Sequence, residues 1–460
     1  MNNIIKKSAV ATVAILLLGS CNIYKKYETP DQTALTKAYK EARELPADSA
    51  AFGNLRWESV FTDPMLADLI NRALENNTSL ENARLNVSIA HAQLKGANLA
   101  YLPSVALAPN GAGASYAGSD FSWTYQIPAQ VSWEIDIFGK LLNSKRGAKA
   151  QLLQSEDYAQ AVRSQIISAV ANTYYGIAAL KSQINLSRET AKIWAENVQA
   201  MKDYKLAGRV TEAAVVQSSA NYYSILGSIT DLEVQLDQLN NTMSTLLNEM
   251  PQEWNIQASS LDRFAAPDII RTGVPMAELA SRPDVAAAEK SLAVAYYATN
   301  SARAAFYPGL TITANGGFTN LLGSMIKNPG DWFVQLAGSL VAPLFSRGQN
   351  IARLEAAKAQ QQQALNNFEY AIMSAAAEVS DAMTVFAKST EKAIYLVDQV
   401  SNLEQSVDIT NDLLKYYNGS YLEVLTAQSS LLSAQMSQIS CQLTRTQAVI
   451  NLYQALGGGR

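Results

Sequence analysis

Apolar and polar positions alternate without interruption between Ser122 and Asp136. This stretch reads SWTYQIPAQVSWEID, and every second side chain from Trp123 to Ile135 is apolar. A period of two residues predicts a β-strand with one apolar and one polar face. Pro128 stands among the polar positions and lacks the N–H group that a strand ladder needs. We therefore expect a bend or bulge in the middle of this strand.

Three other segments show strand patterns, and with 122–136 they form two pairs. The first pair comprises 104–117, which is rich in Gly and Ala, and 122–136. The second pair comprises 309–320 and 331–345, where bulky apolar residues alternate with Thr, Asn, Gln and Ser. A tilted strand needs about 9–11 residues to cross a membrane, and all four segments are long enough.

Heptad spacing in segments without proline predicts two very long helices, at about 141–206 and 348–416. Each extends about 100 Å at 1.5 Å per residue. Sustained heptads indicate helices packed side by side at small angles. Returning helices at about 212–249 and 421–456 complete an antiparallel helical hairpin in each half. One apolar row with a spacing of seven comprises Leu365, Ile372, Val379, Phe386, Ala393, Val400, Val407 and Leu414.

The chain contains an internal repeat. GAKAQ from Gly147 corresponds to AAKAQ from Ala356, and GRVTEAAVVQSS from Gly208 corresponds to GSYLEVLTAQSS from Gly419. Both halves have the same order of elements: a helix, two strands, a very long helix, a turn and another long helix. The predicted boundaries are a first repeat at 68–250, a linker at 251–275, a second repeat at 276–456 and a C-terminal tail at 457–460.

The N-terminus carries an export signal. Residues 1–20 contain a basic start and an apolar run that is shorter than the roughly 20 residues of a membrane-spanning helix, as in a signal peptide. The sequence LGSC that follows resembles the lipobox of bacterial lipoproteins, in which the cysteine carries the lipid. Cys21 is therefore the expected lipid anchor of an N-terminal segment at 21–67. Asn22 favours the outer membrane, by resemblance to the lipoprotein sorting rule.

Composition excludes several classes of function. The formal net charge of −4 gives no basic surface, so no nucleic-acid partner is expected. His91 is the only histidine and lies in a helical pattern without a nucleophile nearby. Cys441 is expected to be a small buried residue. We predict no catalytic residues, no metal site and no cofactor, and the chain is not expected to be an enzyme.

Four membrane strands in one chain leave two edges whose backbone groups are unpaired in lipid. Four strands also enclose less space than the usual smallest barrel of eight. Either the chain forms oligomers or its strands do not span the membrane. Two copies give eight strands and three copies give twelve, and the residue pattern alone does not choose between them.

Four motifs carry a family resemblance. They are RPDVAAAEKSLAVAYYATNSARAAFYPGLTITANGGF, SWEIDIFGKLLNSKRGAKAQ, LFSRGQNIARLEAAKAQQQQALNNFE and NGSYLEVLTAQSSLLSAQ. Together they resemble the TolC-like outer-membrane factors, the outer-membrane efflux lipoprotein family of tripartite resistance-nodulation-division pumps. The resemblance covers nearly the whole mature chain, including the repeat and the lipobox.

The resemblance implies a fold that is mainly α with a membrane β-barrel. A homotrimer shares a 12-stranded β-barrel in the outer membrane of a Gram-negative bacterium and a 12-helix periplasmic α-barrel, and each chain supplies four strands in two repeats. The segments 21–67 and 251–275 contribute to an equatorial belt. The implied function is a passive exit duct for drugs or other small toxic compounds. The implied partners are a periplasmic adaptor protein, an inner-membrane transporter and outer-membrane lipid.

In this family the two turns between long helices lie at the periplasmic tip, where the tunnel closes at rest. The corresponding gate candidates are Glu212, Glu423 and Tyr416. The two carboxylates either compensate the helix dipole, worth about 0.3–1 kcal/mol each, or form a ring of repelling charges around the closed mouth. The second turn lacks an evident arginine at the family's gating position, so the family's ion-pair gate is not transferred. The residues expected in the tip turns and in contact with the adaptor are Gly208, Arg209, Val210, Thr211, Gly419, Ser420, Tyr421 and Leu422.

Two other functions stay open at this point. A type I protein secretion duct keeps the fold and changes the cargo to protein, and a peptide-exporting ATPase encoded beside this gene would favour it. A structural periplasmic lipoprotein without a pore is the other alternative, and a lack of conductance in planar bilayers would favour that function.

Overall fold

The computed structural model describes most of the chain, in eight stretches. These are residues 24–31, 36–37, 55–115, 120–264, 282–321, 330–343, 345–416 and 420–459. The predicted signal peptide at 1–20 and the predicted anchor Cys21 lie outside them. The chain divides into two compact units. The strand unit comprises Met1–Thr33, Leu85–Asp157 and Ala286–Tyr370, and the helical unit comprises Ala34–Arg84, Tyr158–Val285 and Ala371–Arg460.

Helices dominate the described residues, and a small sheet accompanies them. The helices are α1 (Trp57–Val60), α2 (Pro64–Asn76), α3 (Thr78–Leu99), α4 (Lys140–Leu206), α5 (Glu212–Leu246), α6 (Pro283–Ala304), α7 (Gln349–Tyr416) and α8 (Tyr421–Ala455). The strands are β1 (Ser104–Leu107), β2 (Asn110–Ala114), β3 (Ser122–Ile135), β4 (Gly309–Leu321) and β5 (Asp331–Val341). Helix lengths occur in pairs: α4 and α7 have 67 and 68 residues, while α5 and α8 have 35 each.

Helix α2 shows how the local sequence determines an element. Asp63 precedes it, and its side-chain oxygen accepts a hydrogen bond from the N–H of Met65 at 2.9 Å. Pro64 occupies the first turn, where a helix does not need the missing N–H. The buried side chains are three or four residues apart and share one face, which joins the core of the helical unit: Leu66, Leu69, Ile70 and Ala73.

The core of the helical unit is a single large apolar cluster. Side chains from α2, α4 and α8 form most of this cluster. Its most deeply buried large residues include Ile167, Ile177, Tyr174 and Tyr453 on these helices and Phe61 between α1 and α2. The segment after α5 packs into the same cluster through Trp254, Ile256 and Leu261. Of the predicted linker 251–275, the part up to residue 264 therefore packs on this core, and the rest lies outside the described residues.

Tyr174 is a polar group within this core. Its hydroxyl lies 2.8 Å from Asp63 Oδ2 and 3.0 Å from Ser260 Oγ. Burial raises the pKa of Tyr174 to about 12; the hydrogen bond with Ser260 opposes this shift and Asp63 adds to it. Burial also raises the pKa of the adjacent Tyr175. Both phenols therefore stay protonated at neutral pH.

A buried arginine connects three chain segments within the helical unit. Arg282, which is 5% exposed, lies directly before α6. Its Nη1 donates to the carbonyl of Ala455 in the last turn of α8 at 2.6 Å. Its Nη2 lies 2.7 Å from Glu378 Oε2 on α7 and 2.7 Å from Asp284 Oδ2 on α6. One guanidinium group thus fixes the end of α8 against α6 and α7.

The five strands form one antiparallel sheet in the strand unit. β3 and β4 lie at its centre, β5 lies beside β4, and β1 and β2 both pair with β3. The first strand predicted from the sequence, at 104–117, is therefore two short strands with Ala108 and Pro109 between them. β1 and β2 follow one continuous register along β3, since Leu107 lies opposite Ala129 and Asn110, three residues later, lies opposite Gln126, three residues earlier.

Of the bend or bulge expected at Pro128, the bulge is absent, and that part of the prediction was wrong. β3 pairs with β4 in an unbroken register from Thr124 to Ile135. On the other side of β3, the N–H of Ala108 donates to the Pro128 carbonyl at 3.0 Å. The N–H and C=O of one strand residue point to the same neighbour, so the missing N–H of Pro128 falls at the gap between β1 and β2. The neighbouring strand is interrupted, and β3 stays regular.

The register separates apolar and polar side chains on two faces of the sheet. One cross-strand row comprises Val105, Val131, Ala314 and Leu336, and the next row on the opposite face comprises Ala106, Gln130, Asn315 and Gln335. Within the single chain much of the apolar face is exposed, with Trp332 76% exposed, although Tyr125 on the same face is buried. The sheet thus has the two chemically different faces that the alternation predicts.

Candidate functional site at the helical turns

The turn between α4 and α5 closes through backbone hydrogen bonds. Gly208 has φ +71°, a left-handed conformation that glycine adopts without a steric cost. Its N–H donates to the Lys205 carbonyl at 3.0 Å, and the N–H of Arg209 donates to the Tyr204 carbonyl at 2.8 Å. These bonds satisfy two carbonyls of the last turn of α4. The predicted role of Gly208 in a tight turn is consistent with this geometry.

Side chains of this turn divide into exposed and packed groups. The Arg209 guanidinium lies over the Tyr204 ring, 5.7 Å from its centroid, and remains exposed. Leu206 is 87% exposed. Val210 instead packs against the turn cluster, an apolar group that both helical hairpins share. The turn cluster comprises Ala191, Trp194, Met201, Val215, Ile225, Ile229, Tyr421 and Leu425.

Glu212 forms an ion pair within its own turn. Its carboxylate contacts Lys205 Nζ across the turn, and both side chains are about half exposed. Thr211 occupies the N-cap position of α5, and its side chain makes no capping hydrogen bond. Glu212 thus lies in the first turn of α5, where a carboxylate favours the helix start, and it is paired across the turn.

The turn between α7 and α8 is described only in part, because 417–419, including Gly419, lie outside the described residues. Tyr416 is the last residue of α7 and is 74% exposed. The Ser420 hydroxyl accepts a hydrogen bond from the N–H of Leu422 at 3.3 Å and caps α8. Glu423 follows in the first turn as an exposed residue, and no ion pair joins it to another described residue.

Tyr421 is buried, which corrects its assignment to the adaptor-contacting surface. Its hydroxyl lies 2.8 Å from Ser218 Oγ on α5, so this contact joins the two helical hairpins. Burial raises the pKa of Tyr421, and the hydrogen bond with Ser218 opposes that shift. A side chain that fills the turn cluster is unavailable to a partner. Leu422, the next residue, is exposed.

Sequence reasoning missed the residues that join the hairpins. Ser218 is fully buried, and Asn197 Nδ2 donates to Gln428 Oε1 at 2.9 Å, again between the hairpins. A signal was present, because Ser218 heads a heptad row that continues with Ile225 and Leu232. A hydroxyl at an apolar heptad position requires a hydrogen-bond partner when it is buried.

Among the described residues, no group of three or more His, Cys, Asp or Glu side chains has an arrangement that could hold a metal ion. None of their helices has an apolar stretch long enough to cross a bilayer.

A model of the outer membrane efflux protein family matches residues 69–249 and 274–458, which is more than half of the chain. The chain belongs to this family. Within the efflux family, the cation efflux system protein CusC of Escherichia coli O6:H1 is 27% identical over 456 residues, covering 97% of each chain. The pyoverdine export outer membrane protein OpmQ of Pseudomonas aeruginosa is 28% identical over 461 residues, covering 97% of this chain and 95% of OpmQ.

Solved structures of efflux channels have the same fold. The open state of the Neisseria gonorrhoeae MtrE outer membrane channel matches with a TM-score of 0.80 and 27% identity, covering 95% of this chain and 98% of MtrE. A crystal structure of CusC matches with a TM-score of 0.81 and 25% identity, covering 95% of this chain and all of that chain. The resemblance to TolC-like outer-membrane factors is confirmed, and this efflux protein is located in the outer membrane. These relatives are efflux and channel proteins rather than enzymes.

Proposed function

We propose that the protein is the outer-membrane exit duct of a tripartite efflux pump. It conducts drugs or other small toxic compounds passively from the periplasmic pump assembly to the outside. The observation that carries this proposal is the two-faced sheet with open edges. Among the described strands, β1 and β2 pair only with β3, and β5 pairs only with β4. Backbone groups at such edges require partners in hydrocarbon, so other copies of the chain supply them.

A homotrimer satisfies this requirement and agrees with the family resemblance. β5 of one chain pairs with β1 and β2 of the next, and four predicted strands from each of three chains close a 12-stranded barrel. The apolar face, with exposed Leu336 and Trp332 and half-buried Val131, turns towards lipid. The paired lengths of the long helices support the two repeats and a 12-helix α-barrel, to which each chain contributes four helices.

The other face of the sheet sets the chemistry of the duct. The row of Gln130, Asn315 and Gln335 presents uncharged amides, which hydrate small solutes without holding one of them tightly. The relatives are named for different cargoes, which are cations for CusC and pyoverdine for OpmQ. These names support a small-molecule cargo for this chain within the proposal, with transport rather than catalysis as its role. A periplasmic adaptor and an inner-membrane transporter supply selection and energy, and a lipid on Cys21 anchors the chain.

The turns supply the gate in this proposal. Exposed Glu423 and Tyr416 line the resting mouth, whereas Glu212 is compensated by Lys205. The contact between Tyr421 and Ser218 holds the two hairpins together below the mouth. The exposed side chains of Arg209, Leu206 and Leu422 form the surface for the adaptor.

The proposal is tested with the purified full chain and with a deletion strain. We expect a trimer in detergent, ion conductance in planar bilayers, and a strain that becomes hypersensitive to several toxic compounds. A monomer that is soluble without lipid would overturn the duct and its membrane strands. Conductance with unchanged drug susceptibility and lost export of one protein would instead establish type I secretion.

A further inference from the structure

A cluster of aromatic and basic side chains, separate from the helical turns, lies where β3 leads into α4. The segment 24–27 packs there against α6. The N–H of Tyr27 donates to the Tyr297 hydroxyl at 3.1 Å, and the Tyr296 hydroxyl donates to the Lys25 carbonyl at 3.2 Å. The first described residues of the chain are therefore fixed against the strand unit.

Tyr24 is at the centre of the cluster. Its ring covers Gly139, where a Cβ would lie 3.3 Å from the ring, and its carbonyl accepts a hydrogen bond from Arg146 Nη1 at 3.4 Å. Burial and the neighbouring Tyr307 phenol raise the pKa of Tyr24, and the positive charge of Arg303 opposes them. Arg146 and Arg303 therefore both lie close to this one tyrosine.

More aromatic side chains surround the same point. Phe138 stacks on Tyr307 with ring centroids 5.0 Å apart. The Trp133 indole N–H donates to the Tyr101 carbonyl at 2.9 Å, and Lys145 Nζ lies 5.7 Å from the centroid of the Tyr101 ring. Trp133 and Tyr307 keep more than a third of their surface exposed. Aromatic rings with one wet edge are typical of the interface between a bilayer and water.

The basic side chains of the cluster have no carboxylate partners among the described residues. Of the nearby acids, Glu134 pairs with Lys140 at 2.8 Å, and Asp136 accepts the N–H of Leu142 at 2.7 Å and keeps its negative charge. Five cations outnumber Asp136 and Glu28, the acid next to the segment 24–27, and a cluster with an excess of positive charge at a bilayer interface attracts anionic headgroups. These cations are Lys25, Lys26, Lys145, Arg146 and Arg303.

The geometry points to a binding site for the phosphate headgroup of an anionic phospholipid at the periplasmic edge of the outer membrane. Tyr24, Arg146 and Arg303 form its floor, and Lys25 and Lys26 extend from the same segment. The apolar face of the sheet continues directly from the cluster, with Trp133 and Ile135 on β3. That continuity selects a phospholipid over a free anion, because acyl chains cover the apolar face while the cations bind the phosphate. The inference rests on the membrane strands of the proposed duct and adds a lipid contact to it.

The test uses the purified full chain in detergent, titrated with phosphatidylglycerol or with phosphatidylethanolamine and observed by native mass spectrometry. We expect the first phosphatidylglycerol to bind about tenfold more tightly than phosphatidylethanolamine. The variant K25Q/K26Q/R303Q should lose this preference. The control K202Q/K392Q/R263Q removes the same number of charges from exposed positions of the helical unit and should retain it.

Equal affinity for the two lipids in the parent chain, or an unchanged preference in K25Q/K26Q/R303Q, would overturn the site. The variant K25Q/K26Q leaves in place the hydrogen bonds that Arg146 donates to the Tyr24 carbonyl and Arg303 donates to Asn300, so it carries the test if the triple variant does not fold. The preference of K25Q/K26Q for phosphatidylglycerol over phosphatidylethanolamine should fall at least severalfold. Conductance of the same preparations separates this site from the duct, since lipid preference without conductance would count against the duct alone.

Discussion

Pro128 on β3 lies directly opposite Gly317 on β4, and the backbones approach so closely that a Cβ on Gly317 would lie 2.7 Å from Pro128 Cα. The same Cβ would also collide with the carbonyl of Ile127. A proline in the centre of the sheet is therefore accommodated by a glycine on the neighbouring strand. The regular register at this point depends on both residues.

Gly317→Ala should prevent correct formation of the sheet, because the added methyl group meets backbone atoms that cannot move without breaking the register. We expect a large loss of protein inserted in the outer membrane, measured by fractionation and by heat-modifiable mobility on gels. Gly338→Ala on β5 is the matched control, since a Cβ there meets no atom within 4 Å. Equal yields of the two variants would refute the close approach.

Tyr421→Phe should loosen the two hairpins, because it removes the hydroxyl that contacts Ser218 inside the turn cluster. A hydrogen bond of this kind contributes about 0.5–1.5 kcal/mol, so the open fraction of the resting channel should rise about two- to tenfold. Single-channel recording in planar bilayers measures this fraction. Tyr223→Phe, at an exposed position of α5 outside the proposed gate, is the control and should have little effect. An equal rise in both variants would show that the contact between Tyr421 and Ser218 does not hold the channel closed.

Glu423→Gln should lower the preference of the channel for cations, because it removes an uncompensated carboxylate from each copy of the second turn. Reversal potentials in a salt gradient measure the preference. The double variant K205Q/E212Q removes one charge of each sign and should leave it nearly unchanged. A similar loss in both variants would show that the structure of the turns, rather than net charge, controls selectivity.

Arg282→Met should destabilise the helical unit, because it leaves the buried Ala455 carbonyl without a donor. An unsatisfied buried acceptor costs about 1–3 kcal/mol. The ion pairs add less, since Asp284 and Glu378 are about half exposed. Thermal unfolding followed by circular dichroism measures the change. Arg188→Met breaks an exposed ion pair with Glu233 and should lower the melting temperature much less.

Alkaline pH should destabilise the helical unit through Tyr174. Because folding raises the pKa of this phenol from about 10 to about 12, its contribution to stability is complete below pH 10 and is lost as the pH rises through 12. Between these two pKa values the free energy of unfolding falls by about 1.4 kcal/mol per pH unit for one proton. Denaturant unfolding at pH 9 and pH 11 measures the loss. Tyr174→Phe should reduce the pH dependence, and Tyr158→Phe, at an exposed position, should not.

The periodic parts of the fold were predictable from the sequence. The alternation from Trp123 to Ile135 indicated a two-faced strand, and the paired register bears this out, because a period of two fixes which side chains share a face. The heptads likewise indicated the long helices α4 and α7. Both signals depend on local geometry, which the order of residues determines directly.

Properties that depend on distant residues were not predictable in the same way. β3 has no bulge at Pro128, because Gly317 and the gap between β1 and β2 accommodate the proline. Tyr421 was assigned to the adaptor-contacting surface because it lies in a turn that corresponds to the tip of the family, whereas its hydroxyl contacts Ser218, which is 203 residues away. The pattern of residues along the chain does not show which distant side chains will meet once the helices and strands pack together.

The register of the sheet also constrains how these strands can change in evolution. The apolar face combines odd-numbered positions of β1 and β3 with even-numbered positions of β4 and β5. Deleting one residue from a strand turns the rest of that strand over, whereas deleting two restores the side of every later side chain. Length differences within the strands of related proteins should therefore occur in even steps. Only changes of an even number of residues keep each later side chain on its own face of the sheet.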